Sequence, residues 1–499
     1  MALFGKKLVE FKTWHKPNME TLQRTANRGS ISTGPYQIDN SLKLEADNSE
    51  YLHYTPSSQT DYERMAFSVW IKRTELGTTQ TLAEFGNGTA DTTQLRIGFD
   101  TDDRLFCYGN STIWRQTNRL FRDTAAWYHL FFLFDTTTPG GVSNNRVRIW
   151  VNGEMIAHTD FGVINNPSSG SAMGFNKTNQ QSLGTQDEDG PKNYFCGYIA
   201  QAYGSGGTPP VVGDFGETDS DTGIWTPKDI SGITPPDANG FNLDFSDSSD
   251  LGNDISSRNN DFTLNNIAAI DQATDTPTNN FCTINPLVDN NFSIWSLTEG
   301  GTRGPNTGET NCSVGTFAVS SGKWYWEGVT TAFSGTNYWK WGVIRADVQQ
   351  GNSADPATDA GSSWYTGDNA YYTQTSTSAS SVAYNTGFTG YTAGDIWSIS
   401  LNCDVSPYVM TFRINNSVPG TSANNTDRSV GTFASSGPVV PFFMLYNSSS
   451  DDTWHNFGNP FLAALSGGNS DANGYGDFKY EPPSGYYALC SKNLSEFGG

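Results

Sequence analysis

In a chain rich in Asp and Glu, the arrangement to look for first is a pair of acids at i and i+2 on one strand. Such a pair shares a face and can supply the nucleophile and the proton donor of retaining glycoside hydrolysis. No Glu-x-Asp-x-Glu run occurs in the 499 residues. The nearest cluster, Asp187-Glu188-Asp189, falls in a Gln- and Gly-containing stretch that reads as a loop, so no enzymatic activity is expected. Five histidines, His15, His53, His129, His158 and His455, stand far apart without metal-ligand spacing. His129 lies inside the apolar run 127–134 and reads as a core residue. Six cysteines, Cys107, Cys196, Cys282, Cys312, Cys403 and Cys490, form no CxxC pair. Buried free thiols are expected rather than a zinc or redox site. No glycine-rich loop opens a helix, which leaves nucleotide binding without support.

Recognition chemistry is better represented. Sugars stack on aromatic rings beside Asn, Asp and backbone groups that bond their hydroxyls. The candidates are Trp339, Trp364, Tyr365, Tyr371, Tyr372 and Tyr391, in or beside a Ser/Thr/Gly/Tyr-rich stretch at 351–390 that reads as loop. The competing expectation is that these rings pack a core. A second constellation sits at the start of the chain, where Leu3, Phe4, Leu8, Phe11 and Trp14 recur at helical spacing before Pro17. Six basic and two acidic residues lie within 1–30, whereas the whole chain carries a net charge of −22. Phe4, Lys6, Lys7, Leu8, Phe11, Lys12, Trp14 and Lys16 are therefore expected to anchor the chain to a partner; packing on the chain's own first domain is the alternative.

The elements that must position these residues are strands. Aromatic residues make up 13% and charged residues only 16%, with 52 glycines and many Asn, Ser and Thr between apolar runs. That mixture suits short strands joined by turns. Residues 66–72 alternate, placing Phe67, Val69 and Ile71 on one face and Ser68, Trp70 and Lys72 on the other. Residues 94–99 alternate likewise, and 146–151 run into Asn152-Gly153, a strong hairpin signal. Residues 206–245 read as a long lid loop and 262–267 as the closing strand of a first domain. The expected organisation is an arm at 1–34, a sandwich at 35–270, a linker at 271–280 and a second sandwich at 281–499. The fold class is all-β: two tandem antiparallel jelly-roll β-sandwiches.

The runs FSVWIKR (67–73), WYHLFFLFD (127–135), RVRIWVNGE (146–154) and FCGYIAQAYG (195–204) resemble the laminin-G-like, concanavalin A-like lectin domains. That resemblance implies a possible rim calcium site, with Asp100, Asp102 and Asp103 or the group Asp247, Asp250 and Asp254 as candidates; Asp as a plain turn former is the alternative. No other cofactor is expected. The runs GKWYWE (322–327), GDIWSISLNCD (394–404), MTFRINN (410–416) and NFGNPF (456–461) resemble the SPRY (B30.2-like) domains. The closing run 476–494 resembles the tail of SPRY-containing structural proteins of marine bacteriophages.

The resemblance implies a non-enzymatic virion structural protein, a tail fibre or similar appendage. It would attach to other tail or capsid proteins through 1–34 and present lectin-like domains to a host-surface glycan or protein. Fibres of this kind imply a homo-oligomer, typically a trimer, although no heptad pattern supports one. A capsid-decorating head fibre and a secreted bacterial glycan-binding lectin are the alternatives. The acidic body speaks against nucleic acid, and no stretch of 18 apolar residues suggests membrane insertion. The start of the chain lacks an export signal pattern, so assembly in a host cytoplasm is expected.

Overall fold

The computed structural model describes residues 36–86, 94–138, 145–287, 297–305, 311–332, 339–346, 363–366, 370–374, 381–386, 391–418, 428–429, 437–445 and 451–498, with backbone alone at 305, 311, 339, 363–366, 370–374, 381–386 and 428–429. The stretch 1–34, expected to anchor the chain, lies outside the described residues.

Two antiparallel β-sandwiches follow one another. In the first, one sheet runs in the order Glu154–Met155, Val147–Val151, Trp127–Asp135, Arg64–Arg73, Gly197–Gly206, Ser41–Leu44, Gln272–Ala273. The facing sheet runs Phe161–Ile164, Thr112–Leu120, Arg104–Gly109, Leu95–Phe99, Gln80–Phe85, Gln181–Leu183, Tyr51–Tyr54, Thr263–Asn265. Alternation drives the packing: Leu42, Phe67, Val69, Ile71 and Phe132 of one sheet meet Leu52, Phe85, Ile97 and Cys107 of the other in a single core. Asn152 and Gly153 take φ of 50° and 78° at the expected hairpin, the left-handed pair that matches strand twist. All six cysteines are buried, and none is in a disulfide.

The first sheet is covered on its outer side as well. Residues 206–245 are not an open lid: they fold back as a ply that includes the hairpin Gly216–Thr218/Trp225–Pro227. Phe215 and Ile230 pack on Ala66, Phe131 and Tyr203 of the sheet. Trp225 Nε1 donates to His129 Nδ1 at 3.1 Å, which leaves the Nε2 hydrogen to donate to Ser68 Oγ at 2.9 Å. Burial pushes the imidazole down to about 3, so it stays neutral. The remaining outer area, around Trp70, Trp127 and Tyr198, is buried against Phe461 of the second sandwich.

The second sandwich pairs Arg303–Pro305, Asp452–Asn456, Lys323–Ala332, Ile396–Asn402, Val409–Ile414 and Arg428–Ser429 in one sheet. The other holds Asn311–Val314, Val439–Leu445, Trp339–Arg345, Ser363–Thr366, Ala370–Gln374 and Ser381–Thr386. Trp324 and Trp326 point inward together, and Trp341 stacks on Trp397 with centroids 4.8 Å apart.

The stretch 271–280 is not a free linker. Gln272–Ala273 adds a strand to the first sandwich, and Asp275, Thr276, Thr278 and Asn280 are buried. The physical reason is Lys72, whose outward-facing ammonium is buried and is met by Asp275 Oδ2 and Asn280 Oδ1, each at 2.7 Å. Among the described residues the one α-helix is Ser491–Phe497, and no helix is long and apolar enough to cross a membrane.

Candidate functional site

With the first sheet covered, the facing sheet keeps part of its outer face at the surface: Arg96 and Tyr108 are half-buried there, whereas Ser182 and Glu84 are buried. Register decides what stands on it. His53 pairs with Thr263 and Ser182, Ser182 with Glu84, Glu84 with Arg96, Arg96 with Tyr108 and Tyr108 with Ile113. Directly paired residues share a face. The neighbouring row, Leu52–Leu183–Ala83–Ile97–Cys107, belongs to the core, so the row from Thr263 to Ile113 points outward. Six inter-strand steps of about 4.8 Å put its ends about 29 Å apart.

Arg96 is the centre of this row. Its guanidinium carbon stands 4.8 Å from the Tyr108 ring centroid and 5.6 Å from that of Phe106, both on the adjacent strand. These cation–π contacts hold a planar donor at a half-buried surface. Beside it Glu84 is buried under the loop at 186–193. It accepts the Asp187 backbone N–H at 2.8 Å and a hydrogen bond from Gln94 Nε2. Burial, opposed by those two bonds, pushes the Glu84 carboxyl up to about 7. At the far end Tyr51, His53 and Tyr194 form an aromatic group, with centroids 5.7 and 6.2 Å from Tyr51. Gln116, from the next row, is held by Asp100 Oδ2 at 2.7 Å. The row thus offers donors, ring faces and hydroxyls. Its carboxyl is Glu84, and Glu188 lies close enough to reinforce its protonation.

A cavity of about 400 Å³ opens at the edge of the same sandwich, where Asn118, Arg119, Glu154 and Asp160 surround a floor of Val151, Met155 and Ile156. Arg119 stands 5.0 Å over Phe121 and 5.7 Å over Tyr128. Asn118 Oδ1 would lie 2.8 Å from a Cβ at position 162, so Gly162 gives the carboxamide its place.

The residues expected from sequence are placed differently. Trp339 opens a strand, and Trp364, Tyr365, Tyr371 and Tyr372 lie on two paired strands, Trp364 opposite Tyr372 and Tyr365 opposite Tyr371. The insertion at 351–390 therefore contains sheet rather than loop alone: Ser363–Thr366, Ala370–Gln374 and Ser381–Thr386 extend the ladder of Trp339–Arg345. The side chains of these five lie outside the described residues. Tyr391 is corrected outright: it is buried, packs edge-on against Trp341, donates to Asp395 O at 2.8 Å and accepts the Thr330 N–H at 2.7 Å. It braces the core and presents no ring to a ligand.

The proposed calcium ligands are also engaged otherwise. Asp100 Oδ1 accepts the N–H groups of Asp102 and Arg104 at 2.9 Å, the bonding of a turn former. Asp102 reaches Arg104 at 3.1 Å on the surface. Asp103 is buried between Arg73 at 3.1 Å and Arg122 at 2.9 Å. Asp247 and Asp250 accept backbone N–H groups of Ser249 and Gly252, and Asp254 those of Asn242, Ser256 and Asn260. Among the described residues no group of three or more His, Cys, Asp or Glu could hold a metal ion.

Sequence reasoning missed the row. The alternation of 94–99 predicts that Arg96 faces away from Leu95 and Ile97, but nothing local says that Glu84 and Tyr108 flank it.

Residues 46–202 match the family model of the concanavalin A-like lectin/glucanases superfamily. No curated protein matches the chain in sequence. Similar solved structures include the SPRY domain of human HERC1, at 16% identity and a TM-score of 0.25 over 34% of this chain and 96% of that one. Another is the CBM40 of a Ruminococcus gnavus sialidase bound to α2,3-sialyllactose, at 15% identity and TM-score 0.23 over 33% and 89%. A pentraxin of Limulus polyphemus follows at 12% identity and TM-score 0.22 over 34% and 76%.

Proposed function

We propose that the first sandwich binds carbohydrate at the half-buried Arg96–Tyr108 pair on its outer face, and that the protein acts by recognition rather than catalysis. The observation that carries this reading is the Arg96–Tyr108–Phe106 stack at the surface of the sheet. A planar donor beside aromatic faces suits sugar hydroxyls and C–H faces. The match of 46–202 to a superfamily of lectins and glucanases supports it. The cavity around Arg119 favours a second reading, an end-on site for a terminal sugar, because its volume admits only a small ligand.

Glycan-array screening followed by titration calorimetry tests both. Arg96→Ala and Tyr108→Ala should each weaken binding about tenfold, the loss of about 1–2 kcal/mol of stacking. Loss on Arg119→Ala with Arg96→Ala unchanged would move the site to the cavity, and absence of glycan binding altogether would overturn the proposal.

The wider role we propose is that of a bacteriophage virion appendage, a tail fibre with residues 1–34 docked on tail or capsid proteins and the sandwiches turned to the host surface, assembled in the host cytoplasm as a homo-oligomer. The basic, amphipathic pattern of 1–34 on an acidic chain supports it. A head fibre differs in where the arm docks, and a secreted bacterial lectin in needing export. Mass spectrometry with immunogold labelling of purified virions decides membership and location together. A chain lacking residues 1–30 should fold and yet fail to enter particles; normal incorporation would remove the anchoring role.

A further inference from the structure

The contact between the two sandwiches contains a buried cluster in which one ammonium faces an excess of carboxyls. Lys43 Nζ, on the strand Ser41–Leu44, lies 2.6 Å from Glu299 Oε2 of the second sandwich, 2.9 Å from Asp271 Oδ1 and 3.3 Å from Glu50 Oε1. Glu45 Oε2 accepts the Glu299 backbone N–H at 2.6 Å. Asn48 Nδ2 bridges Glu50 Oε1 at 2.9 Å and Glu299 Oε1 at 3.1 Å. The Phe461 ring covers Lys43 at 5.4 Å, and Tyr198 OH donates to Gly300 O at 2.8 Å. All five charged groups, Lys43, Glu45, Glu50, Asp271 and Glu299, are buried. The other titratable groups facing them are Cys196, whose Sγ is 3.6 Å from Glu45 Oε1, Tyr198, and the Lys72–Asp275 pair near Tyr198. Glu75 faces Cys196 from the neighbouring segment.

We propose that this seam is a proton-linked latch: it holds the sandwiches together while Glu45 and Glu50 retain protons, and it loosens when they ionise. Four ionised carboxylates around one ammonium would leave three uncompensated charges out of water, an arrangement the interior strongly disfavours. The titration follows the geometry. Burial, with Glu299 adding to it and Lys43 opposing, pushes Glu45 up to about 7. Burial, opposed by Lys43 and reinforced by Asp271 and Glu299, does the same to Glu50, again to about 7. A carboxyl that holds its proton more tightly in the closed seam than in water favours closure fully below its ordinary range and loses that contribution as pH rises through about 7. One such group changes the closing equilibrium about tenfold between about pH 6 and about pH 8. The latch therefore tightens in mildly acidic surroundings and releases in alkaline ones.

Hydrogen exchange on the full-length protein reads the seam directly through the amides of Glu299, Thr302 and Thr274, which bond across or beside it. After division by the intrinsic rate, protection should fall about tenfold or more from about pH 6 to about pH 8 in the wild type. In Glu45→Gln with Glu50→Gln it should stay nearly level, because the amides keep the neutral form. The two single variants should each retain part of the fall if the double variant folds poorly. Glu327→Gln, a buried carboxyl far from the seam in sequence and contact, should leave the fall at Glu299 as in the wild type. Equal wild-type protection at both pH values would overturn the latch, and so would a parallel fall in the double variant.

Discussion

Glu327 illustrates what a motif residue does here at the scale of single side chains. It ends the GKWYWE run, and its carboxylate accepts Tyr325 OH at 2.6 Å and the N–H groups of Lys479 and Tyr480 at 2.8 and 3.0 Å. Asp404 accepts the Gly322 N–H at 2.7 Å, and Asn456 donates to Asp477 O at 2.8 Å. Glu327 and Asn456 are clasps that tie the closing segment to the sandwich, and Asp404 fixes the turn at Gly322. Glu327→Ala should cost about 3 kcal/mol in denaturant unfolding, because three donors lose a buried partner. Burial, opposed by those bonds, pushes the carboxyl up to about 7. Its proton-linked contribution is therefore present at acidic pH and lost as pH rises through about 7, so the variant's deficit should shrink by about 2 kcal/mol between about pH 5.5 and about pH 8.5. A pH-independent deficit would show that the carboxyl is ionised throughout. Arg96 stands at the same scale as the residue whose removal should change binding rather than stability, since it is half-exposed on the sheet surface.

At the scale of elements, the hairpin after Asn152-Gly153 and the ply at 206–245 depend on each other. A Cβ at Gly153 would sit 2.3 Å from the Trp225 ring, and one at Gly216 2.5 Å from the same indole. The ring is thus sandwiched between two glycines while its N–H bonds His129. Gly153→Ala carries both the clash and a left-handed φ of 78°, and should destabilise by about 2 kcal/mol or more in thermal unfolding. Trp225→Ala should cost about 3–5 kcal/mol, since it opens a cavity and leaves His129 Nδ1 without its donor. A small effect in both would mean the ply is not part of the cooperative fold. The hairpin itself was legible in the sequence because a two-residue turn signal is local. That a tryptophan more than 70 residues away closes over it was not, because no local pattern encodes long-range contact.

At the scale of the whole molecule, the sandwiches share a buried contact rather than a tether. Lys72 and Asp275 pair at 2.7 Å with no solvent access, Trp127 Nε1 donates to Asp275 Oδ1 at 2.9 Å, and Thr274 N–H bonds Asn459 Oδ1 at 3.0 Å. Lys72→Ala leaves a buried carboxylate without its counter-charge and should cost about 3–5 kcal/mol. Calorimetry of the full chain should show a single transition in the wild type and two in this variant, as the sandwiches uncouple. Two transitions in both would mean that the contact contributes little.

Strand existence, the inward and outward sets of 66–72, the turn at 152–153 and the thiol character of the cysteines all follow from patterns that span a few residues. Period-2 alternation and turn chemistry are written into adjacent positions, so they survive without knowledge of the partner strand. The tertiary structure alone decided which outer face stays open, that the stretch 271–280 is buried beneath Lys72, that Tyr391 braces a core, and that His53, Ser182, Glu84, Arg96 and Tyr108 fall in one line. Each of these depends on the pairing of strands distant in sequence, and register between such strands is set by the packed core as a whole rather than by any one segment.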